Sequence, residues 1–370
     1  MAKILYFSRD YTPHDHRFLT ALAKTEHDIT YLQLEQGDQT LEERPLPAGI
    51  ERISWAGGRG AVHFDDIPGL LPSLQDVIRR VKPDLIHAGP IQRSAYLVAL
   101  AGFHPLVSMS WGYDLIHDAS QNRDWEEATR FTLDHSAVMV GDCDTIRGLA
   151  ISYGMANDRI VTFPWGIDLD QFTPNNNMTT ADHRTLTLLS TRGWEPIYGV
   201  DVIARAFVRA TSASPDLRLK MLGGGSQKEL LLQIFEEGSV SEKVHFPGQI
   251  SQNELPSLYH SADLYISASH SDGTSISLLE ALACGRPAIV SDIPGNREWV
   301  APGVQGWLFP DGDDEALAQA ILGAVEQRER LPEMGLKARY LAETRADWSV
   351  NFQNLLHAYQ LALHPTKMPQ

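Results

Sequence analysis

The sequence predicts an α/β protein of two doubly wound, Rossmann-like domains, and three observations lead there. Short apolar runs alternate with longer helical patterns from end to end. At 370 residues the chain is too long for one ordinary core and suits two domains of ~150–200 residues each. A polar stretch near the middle separates two halves written in the same alternation.

In the first half the apolar runs are "ILYF" (4–7), "LIHAG" (85–89), "LVSM" (106–109) and "AVMVG" (137–141). In the second they are "LTLLS" (186–190), "LRLKML" (217–222), "DLYISAS" (263–269) and "AIVS" (288–291). Runs of this length without strict alternation suit strands buried on both faces, as in parallel sheets. Between them lie helical patterns: Val200, Ile203, Ala204, Phe207 and Val208 recur at i, i+3, i+4, i+7 and i+8, one face of a helix. The break falls in "GIDLDQFTPNNNMTTADHRT" (166–185), rich in Asn, Asp, Thr and Pro. It divides the chain into domains 1–166 and 167–347. A last helical pattern over 348–364 carries an apolar stripe, Trp348, Phe352, Leu355, Leu356 and Tyr359, and could complete either domain. Two such domains facing each other leave a cleft at the carboxyl ends of their strands, where ligands of open α/β sheets bind.

Composition narrows the function classes. A net charge of −16, from 47 Asp and Glu against 31 Lys and Arg, opposes general nucleic-acid binding, which needs a basic face for phosphates. It also weakens docking on anionic lipid. "MAKILYFSRDY" runs straight into a strand pattern, so neither a leader nor a spanning segment is expected. Cys143 and Cys284 are the only cysteines, which leaves no disulfide framework to read. A reduced, cytoplasmic protein is the expectation.

The stretch "SDGTSISLLEALACGRP" (271–287) carries the chemistry. It follows a strand pattern, and "SLLEALACG" reads as a helix that Gly285 ends and Pro287 keeps from resuming. A Gly/Ser/Thr turn feeding a helix start presents backbone N–H groups without partners, which favour an anion such as phosphate. Ala281, Ala283 and Gly285 let that helix pack close to its sheet. Two readings fit each carboxylate. Glu280 could close a capping box with Ser277, or take ligand hydroxyls. Asp272 could form an Asx-turn before Gly273, or do the same.

These segments resemble retaining glycosyltransferases of family 4, with the GT-B fold. "DGTSISLLEALACGRPAIV" (272–290) is similar to the family's "EGFGLPVLEAMACGTPVV". "RIVTFPWGIDLDQFTP" (159–174) resembles "vipNGVDxxxFxP", and "LKMLGGGSQKELL" (219–231) resembles "lvivGdGpxxxxl". "VHFPGQISQNELPSLYHSADLYISAS" (244–269) is similar to "VxFxGxvsxxelxxlyxxadvfvxPS", "PLVSMSWGYDLI" (105–116) to "PlVxtxHGxD", and "LLSTRGWEPIYGVD" (188–201) to "GRLxxxKG". Any one match is weak. Six in order across the chain are not.

The resemblance implies a nucleotide-diphosphate sugar as donor, a UDP-sugar by the family's common choice. It implies transfer of a hexose to an acceptor hydroxyl with retention, and neither metal nor cofactor. Glu280 takes the place that binds the donor ribose. Asp272 takes the place of the first Glu, which reaches the sugar hydroxyls, and is shorter by one methylene. Gly273, Thr274, Ser275 and Ile276 supply the turn amides that hold diphosphate and sugar. Arg192 contacts the leaving β-phosphate, for which a guanidinium fork is suited; without the resemblance it is an Arg after a strand. Gly248 falls in the donor-side "FPGQ". The acceptor is a small molecule, a glycan or a lipid-linked molecule, with peripheral membrane contact left open and no basic amphipathic helix to anchor it.

Three departures qualify the resemblance. Tyr198 stands where the family has Lys, and Trp111 stands where it has His. The turn after the first strand, "SRDYTPHDHRFLTAL" (8–22), contains no Gly. In that turn Asp15 either caps the first helix or, with His16 and Arg17, meets acceptor or donor. An H-x-H pair, His14 and His16, is a weak metal signal. The acidic run "DGDDEALAQ" (311–319) reads as helix capping. Two rivals follow: a nucleotide-sugar-binding protein that has lost catalysis, and another GT-B enzyme such as a phosphorylase or epimerase.

Overall fold

The computed structural model describes residues 1–37, 41–175, 185–248 and 250–364. The chain divides into two compact units. The first joins Met1–Phe163 to the segment from Phe352, and the second is Pro164–Asn351.

Unit 1 is built on a seven-stranded sheet whose strands pair parallel throughout. Its strands are β1 (Lys3–Ser8), β2 (Asp28–Gln33), β3 (Glu51–Arg52), β4 (Leu85–Gly89), β5 (Leu106–Met109), β6 (Val138–Gly141) and β7 (Ile160–Thr162). Every residue of β4, β5 and β6 is buried, as expected of strands covered on both faces. In β1, Leu5 and Phe7 join a cluster with Leu32, Trp55, Leu74 and Val98. Tyr6, alternate to them, meets the rings of Tyr31 and His87. The C-terminal segment covers that second side, with the Tyr359 hydroxyl 2.6 Å from His87 Nδ1.

The strand order β3-β2-β1-β4-β5-β6-β7 reverses between β1 and β4, and ligands of such sheets bind at that switch point. Past the strand ends, Asp114 knits two loops together. It is fully buried and accepts from Ile91 N at 3.0 Å, Ser110 Oγ at 2.6 Å and Leu115 N at 3.0 Å. Burial nonetheless pushes its carboxyl up to about 6.

Unit 2 is built on a six-stranded parallel sheet of order β10-β9-β8-β11-β12-β13. Its strands are β8 (Leu186–Ser190), β9 (Leu217–Met221), β10 (Val244–His245), β11 (Leu264–Ser267), β12 (Ala288–Ser291) and β13 (Gly306–Phe309). The reversal here lies between β8 and β11. The helix Val200–Ala213 buries Val200, Ile203, Ala204 and Phe207, the face its spacing predicts. The acidic run caps a helix as read: Asp313 accepts from Ala316 N at 2.8 Å. Helix Ile276–Ala283 buries Leu278 through Ala283 without a break. Its end approaches helix Leu331–Arg345 so closely that a Cβ on Gly335 would lie 2.3 Å from the Gly285 carbonyl. Among the described residues no helix is long and apolar enough to cross a membrane.

The Asp114 carboxyl makes a pH prediction. A carboxyl raised from 3.8 to about 6 on folding leaves the native state holding a proton that the unfolded chain has released. Its stabilising contribution is therefore present below about 4 and lost as pH rises to about 6. The stability of wild type minus that of Asp114→Asn should fall by roughly 3 kcal/mol across that window and stay flat above it. Chemical unfolding at stepped pH measures this, and a pH-independent difference contradicts it.

Candidate functional site

The candidate site lies at the switch point of unit 2. Arg192 follows β8 by two residues and Asp272 follows β11 by five, and these two strands are neighbours in the sheet. The fold thus brings together two charges separated by 80 positions. Arg192 Nη2 lies 2.8 Å from Asp272 Oδ2, with both side chains mostly buried. Arg192 Nη1 donates to Ser275 Oγ at 2.9 Å and Ser277 Oγ at 3.3 Å. Its guanidinium lies over the Tyr198 ring, 4.1 Å from the centroid, within cation–π range.

Burial sets the electrostatics. It raises the Asp272 carboxyl, and Arg192 only partly pulls it back. Burial acts most strongly on the Arg192 guanidinium and lowers it, but Asp272 together with Tyr265, Tyr198 and Tyr259 outweighs that, and the net shift is upward. Arg192 Nε is buried without a partner, as are Ser190 Oγ and Trp194 Nε1 nearby in sequence. These unmet groups belong to residues at the carboxyl end of β8 and just past it.

Ser275, not Ser277, is the N-cap of helix Ile276–Ala283, accepting from Leu278 N at 3.4 Å. The capping box Ser277–Glu280 does not form. The cap falls two residues earlier, and the Ser277 hydroxyl instead pairs with Tyr265 OH at 2.8 Å. Glu280 is only 8% exposed and accepts from Tyr259 OH at 2.8 Å. Thr191 Oγ1, 3.1 Å from the same phenol, continues the chain of polar groups back to the end of β8. A buried carboxylate without such donors would cost several kcal/mol. The turn residues Gly273, Thr274 and Ser275 are buried and Ile276 half-buried, at a helix start whose N–H groups have no intrahelical acceptors.

Tyr198 closes the short turn Pro196–Tyr198, and Gly199 after it takes φ +56°. A Cβ on Gly199 would lie 2.1 Å from the Ala268 carbonyl, so only glycine brings Tyr198 in against the end of β11. Gly248 lies on an exposed loop past β10 at φ +76°. Among the described residues nothing lies within 4 Å of where a Cβ on Gly248 would be.

The remaining candidates lie in unit 1. Asp15 is 1% exposed and shares in capping the first helix, whose N-cap is Thr12 and whose capping box Asp15 closes from the third helical position. It accepts from Thr12 N at 2.9 Å, Thr12 Oγ1 at 2.5 Å and Tyr6 OH at 3.0 Å, which occupies the carboxylate inside the protein. His16 Nδ1 pairs with Tyr11 OH at 2.8 Å. Arg17 stands half-buried on the same helix, Pro13–Leu22. Trp111 packs against the His14 ring at 5.7 Å, and burial pushes His14 down to about 4. Among the described residues no group of three or more His, Cys, Asp or Glu is placed to hold a metal ion.

Sequence reading misses three supports of the site. Tyr259 and Tyr265 pass as apolar residues of a helix and a strand, although their hydroxyls hold Glu280 and Ser277. Gly295 is the third. A Cβ there would lie 2.3 Å from the Gly273 carbonyl and 2.6 Å from that of Asp272. The "IPG" (293–295) after a strand-like run is the only sequence signal for it.

Known proteins with related chains agree with this architecture. The family model described as "Glycosyl transferases group 1" matches residues 177–340, and "Glycosyl transferase 4-like" matches 3–139. A phosphatidyl-myo-inositol mannosyltransferase of Mycolicibacterium smegmatis is 31% identical over 209 residues, which is 54% of this chain and 51% of that one. The match thus spans about half the mannosyltransferase. A D-inositol 3-phosphate glycosyltransferase of Paenarthrobacter aurescens is 24% identical over 95% of this chain and 92% of its own. Among solved structures, sucrose-phosphate synthase of Thermosynechococcus elongatus superposes with a TM-score of 0.80 at 16% identity, covering 97% and 98% of the two chains. The Anabaena protein Alr3699/HepE, in complex with UDP-glucose, does so with a TM-score of 0.77 at 16% identity, covering 97% and 100%.

Gly295→Ala tests whether the Asp272–Gly273 turn is held from behind. The added methyl must displace backbone, so destabilisation of ~1–3 kcal/mol is expected, read as a lower unfolding midpoint. A midpoint equal to wild type would show that the turn yields freely.

Proposed function

The chain belongs to the group 1 glycosyltransferases of the GT-B fold, and from that premise we propose which transfer it performs. It moves a hexose from a nucleotide-diphosphate sugar, a UDP-sugar by preference, to an acceptor hydroxyl with retention of configuration and without a metal ion. The observation that carries this reading is the Arg192–Asp272–Ser275 constellation beside a helix start, at the switch point of the C-terminal sheet. The UDP-glucose bound in the Anabaena neighbour supports the choice of base.

In this reading the diphosphate lies against Arg192 and the amides of Gly273 to Ile276. A guanidinium and preorganised N–H donors then stabilise the charge that develops on the leaving phosphate. Glu280, held by Tyr259, accepts from the ribose hydroxyls. Asp272 accepts from hydroxyls of the sugar. The bond from the anomeric carbon to the phosphate oxygen breaks, and one to the acceptor oxygen forms on the same face. The acceptor's proton passes to the departing phosphate, so no protein nucleophile is required. The acceptor is a small molecule, glycan or lipid-linked molecule, in keeping with the inositol-derived substrates in the relatives' names. The proposed setting is the cytoplasm, in keeping with two cysteines that are both buried.

Tyr198 favours a second reading, a nucleotide-sugar-binding protein without turnover. Its ring stacks on Arg192 but adds no charge beside a diphosphate.

Thermal unfolding with UDP, GDP, ADP and their sugar conjugates tests the proposal. A nucleotide at ~100 times its dissociation constant adds ~2.7 kcal/mol, which raises the midpoint by several degrees at ~2–4 °C per kcal/mol. UDP compounds should give this shift, and Arg192→Ala and Glu280→Ala should abolish it. No shift from any nucleotide sinks the reading.

Turnover separates the two readings. Release of UDP from the stabilising conjugate should fall ~10²–10³-fold in Arg192→Ala, the usual loss on removing one preorganised donor. Binding without any release would leave the non-catalytic reading standing.

A further inference from the structure

Unit 1 carries a second charged cluster at its own switch point, between β1 and β4, which the sequence reading does not single out. Arg9 is the first residue past β1, and Arg93 sits in the wide turn Ile91–Ala95 past β4. β1 and β4 are paired neighbours. Glu35 pairs with Arg9 Nε through Oε1 and accepts from Val62 N through Oε2 at 3.0 Å. Tyr113 lies close enough to act electrostatically on both Arg9 and Arg93, and its residue is 39% exposed.

Arg93 is differently placed. Its Nη1 donates to the Val62 carbonyl at 2.8 Å and its guanidinium lies 5.2 Å from the Trp125 ring centroid. Its Nε is buried and has no partner. Among the described residues it forms no ion pair within 4.0 Å. Burial and the like charge of Arg9 both act against its protonated form, with Asp118 and Glu35 attracting it from further off. Asp118 is itself bound by Gln121 Nε2 at 2.7 Å. A half-buried cation repelled by a second cation and lacking a direct counter-ion is an unbalanced arrangement. An anion supplied from outside would balance it. Arg93 Nη2 makes no hydrogen bond among the described residues and is not one of the buried unpartnered atoms, so it is the donor that a phosphate or carboxylate oxygen would meet. Loops past a switch point are where such a ligand would sit.

We infer that Arg93, assisted by Arg9 and the Tyr113 hydroxyl, binds an anionic oxygen group, phosphate or carboxylate, carried by the acceptor. This rests on the transferase reading for the word acceptor, but the anion site stands or falls by itself. Arg93 would hold the acceptor by a group remote from the reacting hydroxyl, so it is a binding residue and not a catalytic one.

The test is thermal unfolding of the full chain with inorganic phosphate and with acetate, each against sodium chloride of equal ionic strength. Wild type, Arg93→Gln, Arg93→Lys and Arg192→Gln are compared. Phosphate, acetate or both should raise the wild-type midpoint, and which anion does so separates the two sources. Arg93→Gln should weaken the effective anion at least tenfold, the value of one charge-assisted hydrogen bond. Arg93→Lys should keep part of the response. Arg192→Gln should leave it intact, and the shift should add to the one UDP gives. The midpoints without anion show whether each variant folds. A phosphate shift that survives in Arg93→Gln but vanishes in Arg192→Gln would place the anion in unit 2 and overturn this inference while leaving the donor proposal in force. No shift from either anion in wild type overturns it as well. Loss of the UDP shift alone counts only against the donor proposal.

Discussion

The ion pair between Arg192 and Asp272 is the constraint around which unit 2 is arranged. Neither charge could stay buried alone, because an uncompensated charge in a low-dielectric site costs several kcal/mol. Their pairing at 2.8 Å depends on β8 and β11 being neighbours, which in turn depends on the order of the sheet. The turn that carries Asp272 is fixed at one end by β11 and at the other by the helix that Ser275 caps. The Arg192 side is fixed by a ring below it and two serine hydroxyls beside it. The pair is therefore a product of topology first and of local sequence second.

Glycines let these parts approach. Gly199 admits the Tyr198 turn against Ala268, Gly295 admits its segment against the Asp272 turn, and Gly335 meets Gly285 where the helix ends. At each a Cβ would come within 2.1 to 2.3 Å of a backbone carbonyl oxygen, well inside contact distance. These positions carry no chemistry of their own. They decide whether the chemical groups reach each other.

The sequence shows much of this, and what it hides has physical causes. Buried strands such as β4, β5, β6, β8 and β12 are legible because they are largely covered on both faces and apolar residues dominate each run, with single polar residues such as His87, Ser108 and Thr187 set among them. β2 is not, since Thr30 and Gln33 break its pattern; Gln33 then spends its amide on the Glu35 carbonyl at 2.7 Å and on Asp10. β3 and β10, with two residues each, and β7, with three, are too short for any period to register. At the site, the helix stop at Gly285 and the turn before Ile276 can be read from local residue types. The partners of Glu280 and Ser277 cannot, because Tyr259 and Tyr265 are brought in by tertiary packing. The misplaced cap has the same origin: the spacing Ser277-x-x-Glu280 favours Ser277, whereas in the fold the Ser277 hydroxyl is taken up by Tyr265 and Arg192 and Ser275 caps the helix.

The replacement of a lysine by Tyr198 bears on how donor binding would proceed. In the resting arrangement Arg192 is already neutralised by Asp272, so an incoming diphosphate must compete with a carboxylate for the same guanidinium. A second cation beside it would help win that competition, and Tyr198 brings none. What Tyr198 brings is placement: a guanidinium stacked on a ring at 4.1 Å keeps its position when one of its oxygen partners is exchanged for another. On the proposed reading, once phosphate oxygens take over Arg192 the Asp272 carboxylate would lose its counter-charge and need new donors, which sugar hydroxyls would supply. Exchange at Arg192 and capture of the sugar by Asp272 would then be coupled through one ion pair. In that coupling a shorter carboxylate, held to a fixed guanidinium, is better suited than one that can reach past it.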